Sequence, residues 1–179
     1  MSEVAHKLGG TAECTVMNSA YRTDVGRAAW LNGTLIGAPQ SDSPSHAHAA
    51  SNVVPAIMAI AERDHLSGKA FLAALILGGE VGGRIESASV EAKRGFHNPA
   101  VQGPFSAAAA VGKLLGLNED TLVNALGIAG SSSAGLAAHS RCEGYPGRLE
   151  FWKLLTRSFQ TSQSKNSKET NDPFGVFIV

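Results

Sequence analysis

Residues 67 to 90 read SGKAFLAALILGGEVGGRIESASV, and the fold class turns on them. Ser67 is a good N-cap, since its hydroxyl can accept from a backbone N–H of the first turn. Between Phe71 and Leu77 the run is apolar nearly all round, the mark of a helix buried among others. The stretch therefore predicts a long central helix. Gly78, Gly79, Gly82 and Gly83 each weaken it by up to about 1 kcal/mol relative to alanine. That cost makes sense where a neighbouring backbone or a ligand comes close.

Working back toward the N-terminus, Ser51 is a candidate N-cap for a helix running to about His65. Pro55 falls in its first turn, where a missing N–H costs little. Val54, Ile57, Met58 and Ile60 supply its apolar side. Residues 38 to 51 then form a loop holding Asp42, His46 and His48. Before it, Thr23 or Asp24 can cap a helix from Val25, with Ala28, Ala29, Leu31, Leu35 and Ile36 near one face. Gly37 and Pro39 end that helix. The first twenty residues read as irregular or briefly extended.

Working forward, KRGFHNPAVQG (93–103) reads as a second loop, and Pro104 as the start of the next helix. Gly116 is placed to end it as a C′ residue. Asn118 caps the helix after that, with Glu119 and Asp120 suited to the positive end of its dipole. There is no convincing internal repeat and no strong strand alternation. The expected class is all-α, a helical bundle. From Ser140 the character changes, and residues 160–172 are polar with few apolar side chains, which predicts disorder. The division expected is a helical domain over 1–138 and a divergent, partly disordered tail over 139–179.

The 179 residues are 44% hydrophobic and 17% charged, with 15 acidic and 15 basic side chains. This balance favours a packed body and gives no basic footprint for nucleic acid or a membrane surface. Cys14 and Cys142 lie far apart, so neither a disulfide framework nor a zinc site is expected. The N-terminus has no apolar signal region and the longest apolar run is too short to span a bilayer, so a soluble intracellular protein, cytoplasmic or mitochondrial, is expected.

Five segments, in order and spacing, resemble the MmgE/PrpD family. They are AAWLNGTLIGA (28–38), HAASNVVPAIMAIAE (48–62), SGKAFLAALILGGEVGGRI (67–85), GFHNPAVQGPFSAAAAVGKLLGL (95–117) and NALGIAGSSSAGL (124–136). The resemblance covers roughly residues 8 to 138. It implies part of a large helical domain, with the family's smaller lid domain absent. It further implies a cofactor-free, metal-free lyase of 2-methylcitrate dehydratase or cis-aconitate decarboxylase type. Such an enzyme acts on small di- and tricarboxylic acids and forms a homodimer.

By that resemblance three residues are the candidate catalytic set. His48 matches the histidine before the family's V-x-P helix, although Ala49 stands where the family has proline. His97, in GFHNP, matches its F-H-P histidine. Asp42 falls in its acidic loop segment. Histidine suits proton transfer near neutrality, and an aspartate can orient it or handle a proton. Arg84 and Lys113 are cations that a carboxylate substrate could meet. The pair His46-x-His48 lacks an evident third metal ligand. Where the family carries a lysine in K-x-L-H-x-G-x-A-A, this chain has RCEGYPGRLEF (141–151). The alternative function is a truncated, non-catalytic remnant that self-associates or binds a carboxylate.

Overall fold

The structure is a computed structural model, and it describes residues 6–7, 9–37, 48–89 and 95–137. Asp42, His46 and the whole expected tail lie outside the described residues. What is described is all-α apart from one small ribbon. In that ribbon β1 (Cys14–Thr15) pairs antiparallel with β2 (Arg22–Thr23), Cys14 opposite Thr23 and Thr15 opposite Arg22. The helices are α1 (Val25–Gly37), α2 (Ala49–Asn52), α3 (Val54–Arg63), α4 (Gly68–Ala88), α5 (Asn98–Leu114) and α6 (Glu119–Ser132).

Local chemistry sets several of the helix ends. Asp24 Oδ1 accepts from Arg27 N at 3.1 Å and opens α1. Ser67 Oγ accepts from Ala70 N, and Asn118 Oδ1 from Thr121 N, at the starts of α4 and α6. Gly116, with φ +64°, takes the left-handed turn just past α5 that a side chain would resist.

Two expected boundaries are wrong. The helix expected from Ser51 begins earlier: the chain makes one turn of α2 from Ala49, passes through Val53 and continues as α3. Ser51 is inside that turn, and its hydroxyl donates back to His48 O. α5 starts at Asn98, six residues before Pro104, with Pro99 in its first turn. Pro104 sits inside α5 and removes one internal hydrogen bond, a cost the surrounding packing absorbs.

The burial expected of α4 belongs to α5. In α4 the buried residues are Ala74, Gly78 and Gly82, while Leu72 and Ile76 are exposed. α5 is buried continuously from Ser106 to Gly112 and packs against α2, α3, α4 and α6. Its alanines at 107–110 have little bulk, so four helices can gather around it. Ile57 and Ile60 of α3, fully buried beside Ala28, Ala74 and Ala110, anchor the core. Each contributes about 1.5–3 kcal/mol by leaving water.

α4 and α5 run antiparallel in a close seam. A Cβ on Gly78 would come within 2.9 Å of Ala110 Cβ and Ser106 O, and one on Gly82 within 2.7 Å of Gln102 Oε1. One turn further, Glu86 meets Asn98. So one glycine of each pair answers to close helix packing. The other does not: Gly83 faces open space and Gly79 has only ordinary contact with Ala49.

The ribbon is fastened across α1 and α3. Asn32 of α1 accepts from Met17 N at 2.7 Å and donates to Thr15 O at 3.0 Å. Cys14, fully buried, donates its thiol to Ala59 O of α3 at 3.2 Å. No helix among the described residues is long and apolar enough to cross a membrane.

Candidate functional site

His48 and His97 each stand at the start of a helix. His48 is the N-cap of α2 in the left-handed region, φ 44° and ψ 41°. For a residue with a Cβ this conformation costs about 1–2 kcal/mol. Its carbonyl is nonetheless well used, accepting from Ser51 N at 3.2 Å and Asn52 N at 3.1 Å. His97 is the N-cap of α5 in an extended conformation, φ −90° and ψ 107°. Its N–H donates to Gly135 O at 2.8 Å, and its carbonyl accepts from Ala100 N at 2.9 Å. Neither imidazole caps its own helix.

The two helix starts lie side by side. Asn52, one turn after His48, is buried, and its Nδ2 is 3.5 Å from the carbonyl oxygen of Pro99, two residues after His97. A side chain at 103 would stand 2.9 Å from Asn52 Cγ, so Gly103 is what allows α2 to lie down on α5. The segment after α6 closes a further side. Phe96 and Leu136 form an isolated antiparallel bridge, Ala137 N donates to Gly95 O at 2.8 Å, and Ser133 Oγ donates to Val101 O. Two separate parts of the chain, α2 and the segment after α6, therefore fix the backbone that carries His97.

The remaining expected participants fare differently. Asp42 lies outside the described residues, and of the expected set of three the structure describes His48 and His97, each at the start of one of two neighbouring helices. Arg84 pairs with Glu80 at 2.7 Å on an exposed face of α4. Lys113 is exposed at the far end of α5, about 24 Å along the helix from His97. Neither cation stands with the histidines.

Glu86 and Asn98 were not foreseen. Asn98 Nδ2 donates to Glu86 Oε1 at 3.4 Å, while Glu86 Oε2 and Asn98 Oδ1 are shielded from solvent without a hydrogen-bond partner among the described residues. The signal was present in the spacing: Gly78, Gly82 and Glu86 recur every fourth residue on one face of α4.

A second polar cluster surrounds the end of α3. An open cleft of about 360 Å³ is lined by Glu13, Arg22, Ala61, Glu62, Arg63 and His65. Its charges are matched internally. Glu62 accepts from Thr15 N at 2.8 Å, Thr15 Oγ1 at 2.6 Å and Arg22 Nη1 at 3.0 Å. Partial burial pushes its carboxyl up, but the Thr15 hydrogen bonds and the Arg22 guanidinium outweigh this and hold it below the usual range. Arg63 grips Asp64 at 2.6 Å, and that hydrogen bond lowers the Asp64 carboxyl. The cluster is a fastening for the ribbon, with Thr15, Arg22, Glu62, Arg63 and Asp64 already committed to one another.

Comparison with known proteins places the histidine pair in context. The chain is 39% identical over 150 residues to the "Cis-aconitate decarboxylase-like protein oryM" of Aspergillus oryzae, which covers 76% of this chain and 31% of that protein. It is 37% identical over 134 residues to the "Cis-aconitate decarboxylase" of Aspergillus terreus, 69% of this chain and 27% of that protein. It thus spans under a third of the length of these relatives. Both histidines and the helices they open fall inside residues 1–147, which match the family model described as the MmgE/PrpD N-terminal domain. The chain belongs to the MmgE/PrpD family.

Proposed function

We propose that this chain is the histidine-bearing part of an MmgE/PrpD-type lyase that acts on a small tricarboxylic acid, with cis-aconitate as the first candidate and 2-methylcitrate as the second. The single observation that carries the reading is the Asn52–Pro99 contact, which sets the two histidine-opened helices beside each other. The names of the Aspergillus relatives support the substrate class.

In decarboxylation, a carbon–carbon bond breaks, carbon dioxide leaves, and the electron pair stays on the substrate carbon. A proton must reach that carbon, and an imidazolium is a suited donor. In dehydration, one group removes a proton beside a carboxylate and another protonates the leaving hydroxyl. His48 and His97 fill these roles, and Asp42 orients one of them or passes a proton. No cofactor is needed for either reaction, and the working unit is a homodimer.

The test is turnover of cis-aconitate and 2-methylcitrate by the purified chain, beside His48→Ala and His97→Ala. The reading expects each variant to lose about 100-fold or more, the scale of a lost acid–base group. Turnover no greater than that of His48→Ala rejects it.

A second reading, a non-catalytic piece that self-associates, is favoured by the exposure of Leu72 and Ile76 on α4 and of Val123 and Ile128 on α6. It takes a second copy of the chain as the occupant of that surface. Light scattering that shows a monodisperse monomer with a cooperative melt counts against it.

A further inference from the structure

Asn52 bears on the anchorage of both histidines. Its backbone N–H donates to the His48 carbonyl at 3.1 Å. Its buried side-chain amide reaches the Pro99 carbonyl, in the first turn of the helix that His97 opens, at 3.5 Å. A Cβ on Gly103 would stand 2.9 Å from Asn52 Cγ, 3.0 Å from Nδ2 and 3.1 Å from Oδ1, so the whole amide rests on the bare backbone of α5 there.

Both helix starts need such a hold. α2 is a single turn of four residues, too short to be stable by itself. His48 enters it in the left-handed region, which a side chain resists. The first turn of α5 is weakened from within. Pro104 has no N–H to give to the Ala100 carbonyl, and Gly103 beside it holds the helix poorly. The bonds to Gly135 and from Ala137 tie the His97 segment to the stretch after α6. Asn52 ties it to the turn of His48.

We propose that Asn52 is a positioning residue, holding the two histidine-bearing turns at a fixed separation during the reaction. This rests on the lyase reading given above. Proton transfer demands close placement of donor and acceptor, so a histidine on a turn that drifts loses rate before the chain loses substrate. Asn52 acts through the backbones that carry the rings.

Hydrogen exchange in the full chain tests the hold without relying on catalysis. The reporters are Ala100 and Val101, whose N–H groups donate to His97 O on the helix opposite Asn52. Phe71 and Leu122, in the first turns of α4 and α6, are the controls. Asn52→Leu keeps a similar volume and removes the donor. The expected result is exchange about tenfold or more faster at Ala100 and Val101, with Phe71 and Leu122 unchanged. Gly103→Ala presses on the same contact from the other side and should speed exchange at Ser51 and Asn52, the donors to His48 O. Ala100 and Val101 exchanging as in the parent, in folded Asn52→Leu, overturns the proposal. If Asn52→Leu does not fold, Asn52→Ser, which shortens the side chain, decides by the same reporters.

Where turnover is measurable, Asn52→Leu lowers kcat about tenfold with little change in KM. Glu62→Ala, which loosens the ribbon at the far end of α3, leaves kcat as in the parent. An equal loss of kcat in both variants makes Asn52 a stabilising contact only and overturns its positioning role. Absence of turnover in the parent chain counts against the lyase reading alone, because exchange still decides whether Asn52 holds the two turns.

Discussion

Gly82 of α4 lies directly against Ser106 of α5: a Cβ at 82 would collide with the serine hydroxyl and approach Gln102 Oε1 to 2.7 Å. Ser106 is fully buried, and its hydroxyl donates to Gln102 O at 3.1 Å, so the obstacle cannot swing away into water. Gly82→Ala should therefore destabilise the chain by about 1–3 kcal/mol, as overpacking does. Gly83, one residue on, faces open space, and Gly83→Ala should stabilise by about 0.5–1 kcal/mol through helix propensity. Denaturant melts of the two variants check this, and equal effects would refute the close seam.

Glu62 predicts an acid-sensitive fastening. Its carboxyl is held below the usual range in the folded chain. A group of this kind stabilises above its unfolded value and loses that stability as pH falls through the folded one. The stabilisation should thus be intact at neutral pH and decline below about pH 4.5. Glu62→Ala should cost about 1–3 kcal/mol at pH 7, since it strands the Thr15 N–H and hydroxyl. In melts at pH 7 and pH 3.5, the gap between parent and variant should narrow at the lower pH. A gap that stays constant contradicts the assignment.

Cys14 should be inert while the ribbon stays in place. Burial, reinforced by the negative charges of Glu62 and Glu13, pushes its thiol up to about 11. Only the thiolate attacks a disulfide reagent. In a Cys142→Ser background at pH 8, Cys14 should react about 100-fold or more slowly than free cysteine, and at the free rate once the chain is denatured. Fast reaction of the native chain would show that the ribbon opens readily.

Much of the fold was legible because it is written in single residues. Ser67, Asn118 and Gly116 act at their helix ends as their chemistry dictates. What failed was the reading of bulk. Leu72 and Ile76 suggested a buried α4, yet close helix approach selects small residues, and the seam runs through Ala74, Gly78 and Gly82. The start of α5 was read too late because Pro104 resembles a helix opener, whereas Pro99 is the one in the first turn. The turn at Ala49–Asn52 was hidden by Ser51, a plausible cap that lies inside it. In the candidate site, the histidines were legible only through family likeness. Asn52 and Glu86 depend on which helix lies against which, and no local pattern states that.

The central claim is that His48 and His97 serve one site. It is tested most directly by titrating cis-aconitate into the chain with labelled histidines and following the ring signals, assigned by His48→Gln and His97→Gln. The account predicts that both signals move and that both follow a single binding midpoint. Movement of only one ring, of neither, or of the two with separate midpoints would contradict it.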